Sequence, residues 1–257
     1  RPHRESPGHL PGIVQKQENG VNLLRELYRS TGTVPSRTSE RVAKVDLDTG
    51  EVLSETRASE SPVAMEPADS ARLLGQFLDL YLLVQIGDNL YVIDQHTAHE
   101  RVLYEQTLAA LERDGSHGQN LLFPLQVELS PEQMATFEEA ANVLSRSGFA
   151  VAPFGGRTVN IEAVPSVLSA KPPEKTFLAI IDDLLSLKKA GHDLNKAMAQ
   201  SLACRSAVMA GDRLTDEEAM YLVTRLLQCR DRYSCPHGRP TFVRISKADL
   251  DRQFGRA

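Results

Sequence analysis

Two β-prone runs, residues 80–86 and 90–93, are separated by Gly87-Asp88-Asn89 and lead without a break into Asp94-Gln95-His96-Thr97-Ala98-His99-Glu100. So short a polar, glycine-bearing spacer predicts a tight antiparallel hairpin, and the pattern after it, to about residue 111, predicts a helix. A strand that feeds a helix start is a common mount for chemistry, and here it carries two carboxylates and two imidazoles within seven positions.

Order is expected to begin near Ala71. The seventy residues before it are rich in Pro, Ser, Thr, Glu and Arg, with little apolar periodicity outside 21–28, and read as a flexible linker. Asp48-Thr49-Gly50 suggests a hairpin over 44–52, a unit that is marginal by itself. Further on, 121–129 reads as extended. Ser130-Pro131-Glu132-Gln133 is a capping box with Pro at the first helical position, opening a helix that should stop at Gly148. Short strands are expected around 149–151 and 158–164. Pro172-Pro173-Glu174 introduces a helix with Phe177, Ile180, Ile181, Leu184 and Leu187 on one face, ended by Gly191. A helix over about 195–210, stopped by Gly211, and another capped by Thr215-Asp216-Glu217-Glu218 complete the α+β pattern.

A chain of 257 residues with 41% hydrophobic content can bury a real core, as one large domain or two small ones. Its formal charge of -5 argues against a surface that grips nucleic acid strongly, so any DNA affinity must be local or borrowed. Three cysteines, Cys204, Cys229 and Cys235, are not a disulfide framework and suggest a reducing, cytoplasmic setting. No run of about 18 apolar residues and no charged-then-apolar leader suggests a membrane.

Three separated segments carry metal-ligand chemistry. His96 and Glu100 are four apart on one helix face and can share an ion, with Asp94 before them to cap the helix, ligate or orient water. Taken alone, that pair is better read as a solvated, charged helix start. Glu105 is turned away from the face and suits a supporting salt bridge. Cys235-Pro236-His237 can place a thiolate and an imidazole on one ion if the tripeptide is extended, and a turn around a buried cysteine is the equal alternative. Cys204 sits in a predicted helix beside Arg205, a residue suited to a phosphate or a carboxylate. Together Asp94, His96, Glu100, Cys204, Cys235 and His237 are enough for two neighbouring divalent ions. Thiolate and imidazole favour zinc, whereas the carboxylates accept manganese or magnesium.

In this order, the segments resemble the nuclease signature of the MutL family of DNA mismatch-repair proteins. Asp94, Gln95, His96, Glu100 and Glu105 match the family's Asp-Gln-His-Ala, two residues, Glu, four residues, Glu, with Thr97 in place of Ala. Ala203-Cys204-Arg205 is similar to its second motif, Cys235-Pro236-His237-Gly238-Arg239-Pro240 to its third, and Phe254-Gly255-Arg256 to its closing element. The resemblance covers about 73–256. It implies a discontinuous dimerisation subdomain, 71–115 with 194–257, and an inserted external subdomain, 116–193. It further implies a homodimeric, latent, metal-dependent endonuclease that nicks double-stranded DNA. A mismatch-recognition protein would be met through the full-length chain, and no nucleotide-binding motif occurs here.

On that reading the metal ligands are those named, Glu105 is in support, and Arg205 or Arg239 steadies the phosphate. Three carboxylates and two thiols make an anionic site that repels DNA until metal is bound. Gln119-Asn120-Leu121-Leu122-Phe123-Pro124 resembles the peptide that binds the replicative sliding clamp, through Gln119, Leu121, Leu122, Phe123 and Pro124. Without the family context it is better read as an ordinary apolar strand. The main alternative function is a non-catalytic dimerisation scaffold with structural zinc. A small-molecule hydrolase lacks any sign of a large apolar pocket.

Overall fold

The computed structural model describes residues 71–113, 116–168 and 170–256. The expected linker and the 44–52 hairpin lie outside them. The chain opens with β1 (Ala71–Phe77), β2 (Tyr81–Ile86) and β3 (Asn89–Asp94), and β3 runs straight into helix α1 (Gln95–Glu112). The β2–β3 hairpin is in the anticipated place, with Ile86 opposite Asn89 and Tyr81 opposite Asp94.

The first sheet has the order β1-β2-β3-β7, its fourth strand β7 (Phe242–Ser246) arriving from the far end of the sequence. On one face Leu82, Val84, Ile86, Tyr91 and Ile93 are buried against Ala98 and Val102 of α1 and Leu222, Val223 and Leu226 of α5 (Asp216–Gln228). On the other face Leu83, Leu90, Val92, Val243 and Ile245 alternate with them and stay partly exposed.

The second sheet is β4 (Gly118–Glu128), β6 (Thr158–Pro165) and β5 (Ala150–Gly155), in that order. Helices α2 (Pro131–Arg146) and α3 (Pro173–Lys189) share its core of Val127, Val159, Ile161, Phe137, Ile180 and Leu184. Phe177 lies edge-on to Phe137 and Phe149, with ring centroids 6.4 and 5.7 Å away. Helix α4 (Leu194–Ser206) joins the two halves. Its Ala197, Met198 and Leu202 enter the second core, while Ala203 packs on Leu103 of α1.

Local signals place the helix starts well. Ser130 with Gln133 and Thr215 with Glu218 each form a reciprocal capping box. Gly148 ends α2 at φ +100°, and a Cβ there would stand 2.8 Å from the His117 carbonyl oxygen, so only glycine fits. Two expectations need correction. The helix expected to reach about residue 210 stops at Ser206, because Ala207 turns extended and the next peptides are held by side chains of α1 and by Asp212. Strands β1 and β7 and the short C-terminal helix α6 (Lys247–Gln253) were not anticipated.

Candidate metal centre

Each residue at the β3–α1 junction has a separate task. Asp94 caps α1, its Oδ1 accepting the Thr97 N–H at 3.0 Å. Gln95 is buried and donates to the carbonyls of Asp79 and Asp212 at 2.7 and 2.9 Å. His96 Nδ1 lies 2.7 Å from the Val208 carbonyl, leaving Nε2 3.4 Å from Glu100 Oε1. The Thr97 hydroxyl stands 3.2 Å from the Pro240 carbonyl, which ties the start of α1 to the third motif.

Glu100, 1% exposed, is the point on which the distant segments converge. Its Oε2 is 3.4 Å from His237 Nδ1 and 3.1 Å from Arg239 Nη2. Glu100, Cys204 and His237 offer ligand atoms that all lie within 4.8 Å of one another. Cys235, almost fully buried, places its Sγ 4.0 Å from His237 Nδ1. Burial alone would push the Glu100 carboxyl up. The His96 contact, the His237 charge and the Cys235 thiol outweigh it and hold the carboxyl at about 2. In return Glu100 raises His96. Partial burial and then the Glu100 charge push the Cys204 thiol up.

The Cys235-Pro236-His237 segment is not extended, as one reading of it expected. It begins a tight turn in which the Gly238 N–H donates to the Cys235 carbonyl at 2.9 Å and the Cys235 N–H to the Arg239 carbonyl at 2.8 Å. Gly238 takes φ +81°, a conformation that favours glycine. The turn, not strand alternation, brings the thiol and the imidazole together.

Other candidates are engaged nearby. Glu105 accepts the backbone N–H groups of Arg230 and Asp231 at 2.8 and 3.0 Å and faces Arg101 at 3.7 Å. Arg101 donates through Nε to the Ser234 carbonyl at 2.5 Å and lies 3.3 Å from Asp231 Oδ2. These two residues dock the loop that carries Cys235 and His237. Arg205 points to α3, donating to Asp183 at 2.6 Å and to the Ala179 carbonyl at 3.1 Å. Arg101 and Arg239 offset the carboxylates, so the cluster is less anionic than its composition suggests. Arg101 escaped sequence reasoning, and His99, which by its place beside His96 reads as peripheral, instead meets the Val208 backbone as His96 does. Only the i,i+4 spacing of Arg101 and Glu105 offered a signal.

The donors suit a divalent ion. Bond lengths of about 2.0–2.3 Å in a tetrahedron separate ligand atoms by roughly 3.3–3.8 Å, close to the 3.4 and 4.0 Å seen here. Glu100 Oε1 is buried without a well-directed hydrogen bond, an acceptor with capacity to spare.

In β4 the ladder to β6 shifts register between Asn120 and Leu125, so that 121–124 bulge outward. Leu121 still packs on the core, whereas Leu122 and Phe123 are 88% and 74% exposed. Gln119 pairs with Val164, and Pro124 falls within the bulge.

The fold and cluster together define a mixed α+β domain whose first sheet feeds a helix bearing Glu100, on which a carboxylate–imidazole–thiol group converges. Residues 74–214 match the family described as the MutL C terminal dimerisation domain. The chain belongs to this family. It is 39% identical over 186 residues to the DNA mismatch repair protein MutL of Clostridium botulinum (strain Loch Maree), an alignment covering 72% of this chain and 28% of that protein. Proteins of the same name from Chlorobaculum tepidum and Pelodictyon phaeoclathratiforme are each 38% identical, over 79% and 76% of this chain and 32% and 31% of their own lengths. The chain thus spans less than a third of these relatives. Among the described residues no helix is long and apolar enough to cross a membrane.

Proposed function

We propose that this chain is the catalytic, dimer-forming part of a mismatch-repair protein, a latent endonuclease that nicks double-stranded DNA with the help of divalent metal. The observation that carries the reading is the convergence on Glu100 of donors from α1, α4 and the 235–239 turn. His96, Glu100, Cys204, Cys235 and His237 would hold zinc or manganese, with Asp94 at the edge of the set. When bound, such ions lower the pKa of water and neutralise a phosphodiester. Arg239, half-exposed beside Glu100, would meet a phosphate oxygen. Glu105 would act by docking the loop of the third motif, and Arg205 by anchoring α4 to α3.

Residues 71–115 and 194–257 would form the dimerisation subdomain and 116–193 the external one. The partly exposed apolar face of Leu83, Leu90, Val92, Val243 and Ile245 suits a second copy of the chain. The protruding Leu122 and Phe123, with Gln119 beside them, suit an apolar pocket on the replicative clamp. With a net charge of -5, delivery to DNA would come from partners and from the rest of the full-length protein.

Nicking of supercoiled plasmid with manganese tests the reading. The parent should convert plasmid to the open circle, whereas Asp94→Asn and Glu100→Lys, folded and dimeric, should not. Variants as fast as the parent would remove the assignment. Metal bound tightly without nicking would favour the scaffold instead.

A further inference from the structure

His99 is completely buried, three positions after His96 on α1, and both rings engage the backbone of one residue, Val208, on either side of its Cα. The Val208 N–H donates to His99 Nδ1 at 3.0 Å. A backbone N–H only donates, so this ring carries its proton on Nε2, a nitrogen that is buried without a hydrogen-bond partner among the described residues. The Val208 carbonyl lies 2.7 Å from His96 Nδ1. A carbonyl only accepts, so Nδ1 carries a proton here, and in the neutral ring the lone pair is on Nε2, 3.4 Å from Glu100 Oε1. The two backbone groups of Val208 therefore favour opposite tautomers in the two neutral rings.

We propose that His99 is a positioning residue of the metal centre, anchoring Val208 through its N–H so that the carbonyl of the same residue fixes the His96 ring with Nε2 toward Glu100. The inference rests on the metal-binding reading above. A residue that only filled the core would be apolar, because burying a ring N–H without a partner is unfavourable. What His99 supplies beyond a leucine of similar size is the acceptor for Val208. The segment after Val208 is tied down both by the same helix and by its own Asp212. Gln95 grips the Asp212 carbonyl at 2.9 Å, and Asp212 Oδ2 accepts the Met209 N–H at 2.8 Å. Holding the orientation of a ligand histidine through its other ring nitrogen raises metal affinity, and loss of such a contact typically weakens it about 10–100-fold.

The test uses the 257-residue chain, its H99N and H99L variants, Zn2+ as probe, and two readouts. Imidazole ¹⁵N spectra of metal-free protein at about pH 9, where an ordinary histidine is neutral, report the His96 tautomer. Competition with a chelator reports the Zn2+ dissociation constant. The parent should show His96 protonated on Nδ1. H99N, whose amide oxygen can stand where Nδ1 stood, should keep that tautomer and the affinity. H99L should mix the tautomers and bind Zn2+ about 10–100-fold more weakly. A folded H99L equal to the parent in both readouts overturns the role of His99 alone. A parent that binds no Zn2+ overturns the metal reading and the role with it. Should H99L fail to fold, the parent and H99N decide: His96 protonated on Nε2 in the parent, or loss of the tautomer in folded H99N, overturns the proposal.

Discussion

Thr97 occupies a place where the MutL signature has alanine, and its hydroxyl has two carbonyls within reach, Pro240 at 3.2 Å and Asp94 at 3.3 Å. Thr97→Ala leaves the Pro240 carbonyl without this donor and should cost about 1 kcal/mol. Urea unfolding curves with the same midpoint for both proteins would show that the bond contributes nothing. Asp212 supplies a pH-dependent counterpart. Burial pushes its carboxyl above the ordinary 3.8, more than the Met209 N–H lowers it. Its contribution to stability is therefore present below 3.8 and is lost as pH rises through the raised value. Asp212→Asn keeps an acceptor for Met209 and removes the buried charge. It should melt no lower than the parent at about pH 7, and any gain should vanish at about pH 3. A variant that melts lower only at the neutral end contradicts this. At this scale, legibility in the sequence followed distance along the chain. The His96–Glu100 pair could be read because helical spacing is local. His99 and Arg101 could not, because their partners are backbone groups 109 and 133 positions away.

Among elements, the same rule separates the readable from the hidden. The capping boxes of α2 and α5 and the β2–β3 hairpin are specified by neighbouring residues. Strand β7 is five residues long, bears Arg244, and exists because β3 offers it a free edge. Strand β1 is an edge strand with a register shift between Leu73 and Gly75, which blurs its alternation. The end of α4 is set by what holds Val208, a tertiary cause with no local sign. The metal-ligand candidates were legible as three motifs, but the turn that folds Cys235 toward His237 was not chosen over an extended form. That turn depends on the docking of its loop by α1. Arg101→Met deletes the donors to Ser234 and Asp231 and should destabilise the chain by about 1.5–3 kcal/mol, the range for hydrogen bonds to charged groups. Limited proteolysis should then cut first near 230–234. An unchanged melting temperature and cleavage pattern would show that the loop holds itself.

For the whole molecule, α1 spans the two cores, with Ala98 and Val102 in the first and Leu111 in the second, and α4 carries Cys204 on the same helix as Met198 and Leu202 of the second. On the proposed reading a second copy of the chain covers the open face of the first sheet. Val92→Asp puts a charge at its centre while leaving the buried face untouched. It should shift the protein from dimer to monomer in sedimentation, with an unaltered far-ultraviolet spectrum. A variant that sediments as the parent does would move the interface elsewhere.

The first sheet takes its fourth strand, and the cluster its Cys235 and His237, from beyond residue 230, whereas Glu100 and His96 emerge early. During synthesis the early hairpin and α1 can form while the second sheet is still being made, yet Glu100 meets His237 and Arg239 only after residues beyond 230 have been made. On the proposed metal-binding reading, a nascent chain that had not yet reached residue 235 would lack two of the ion's donors.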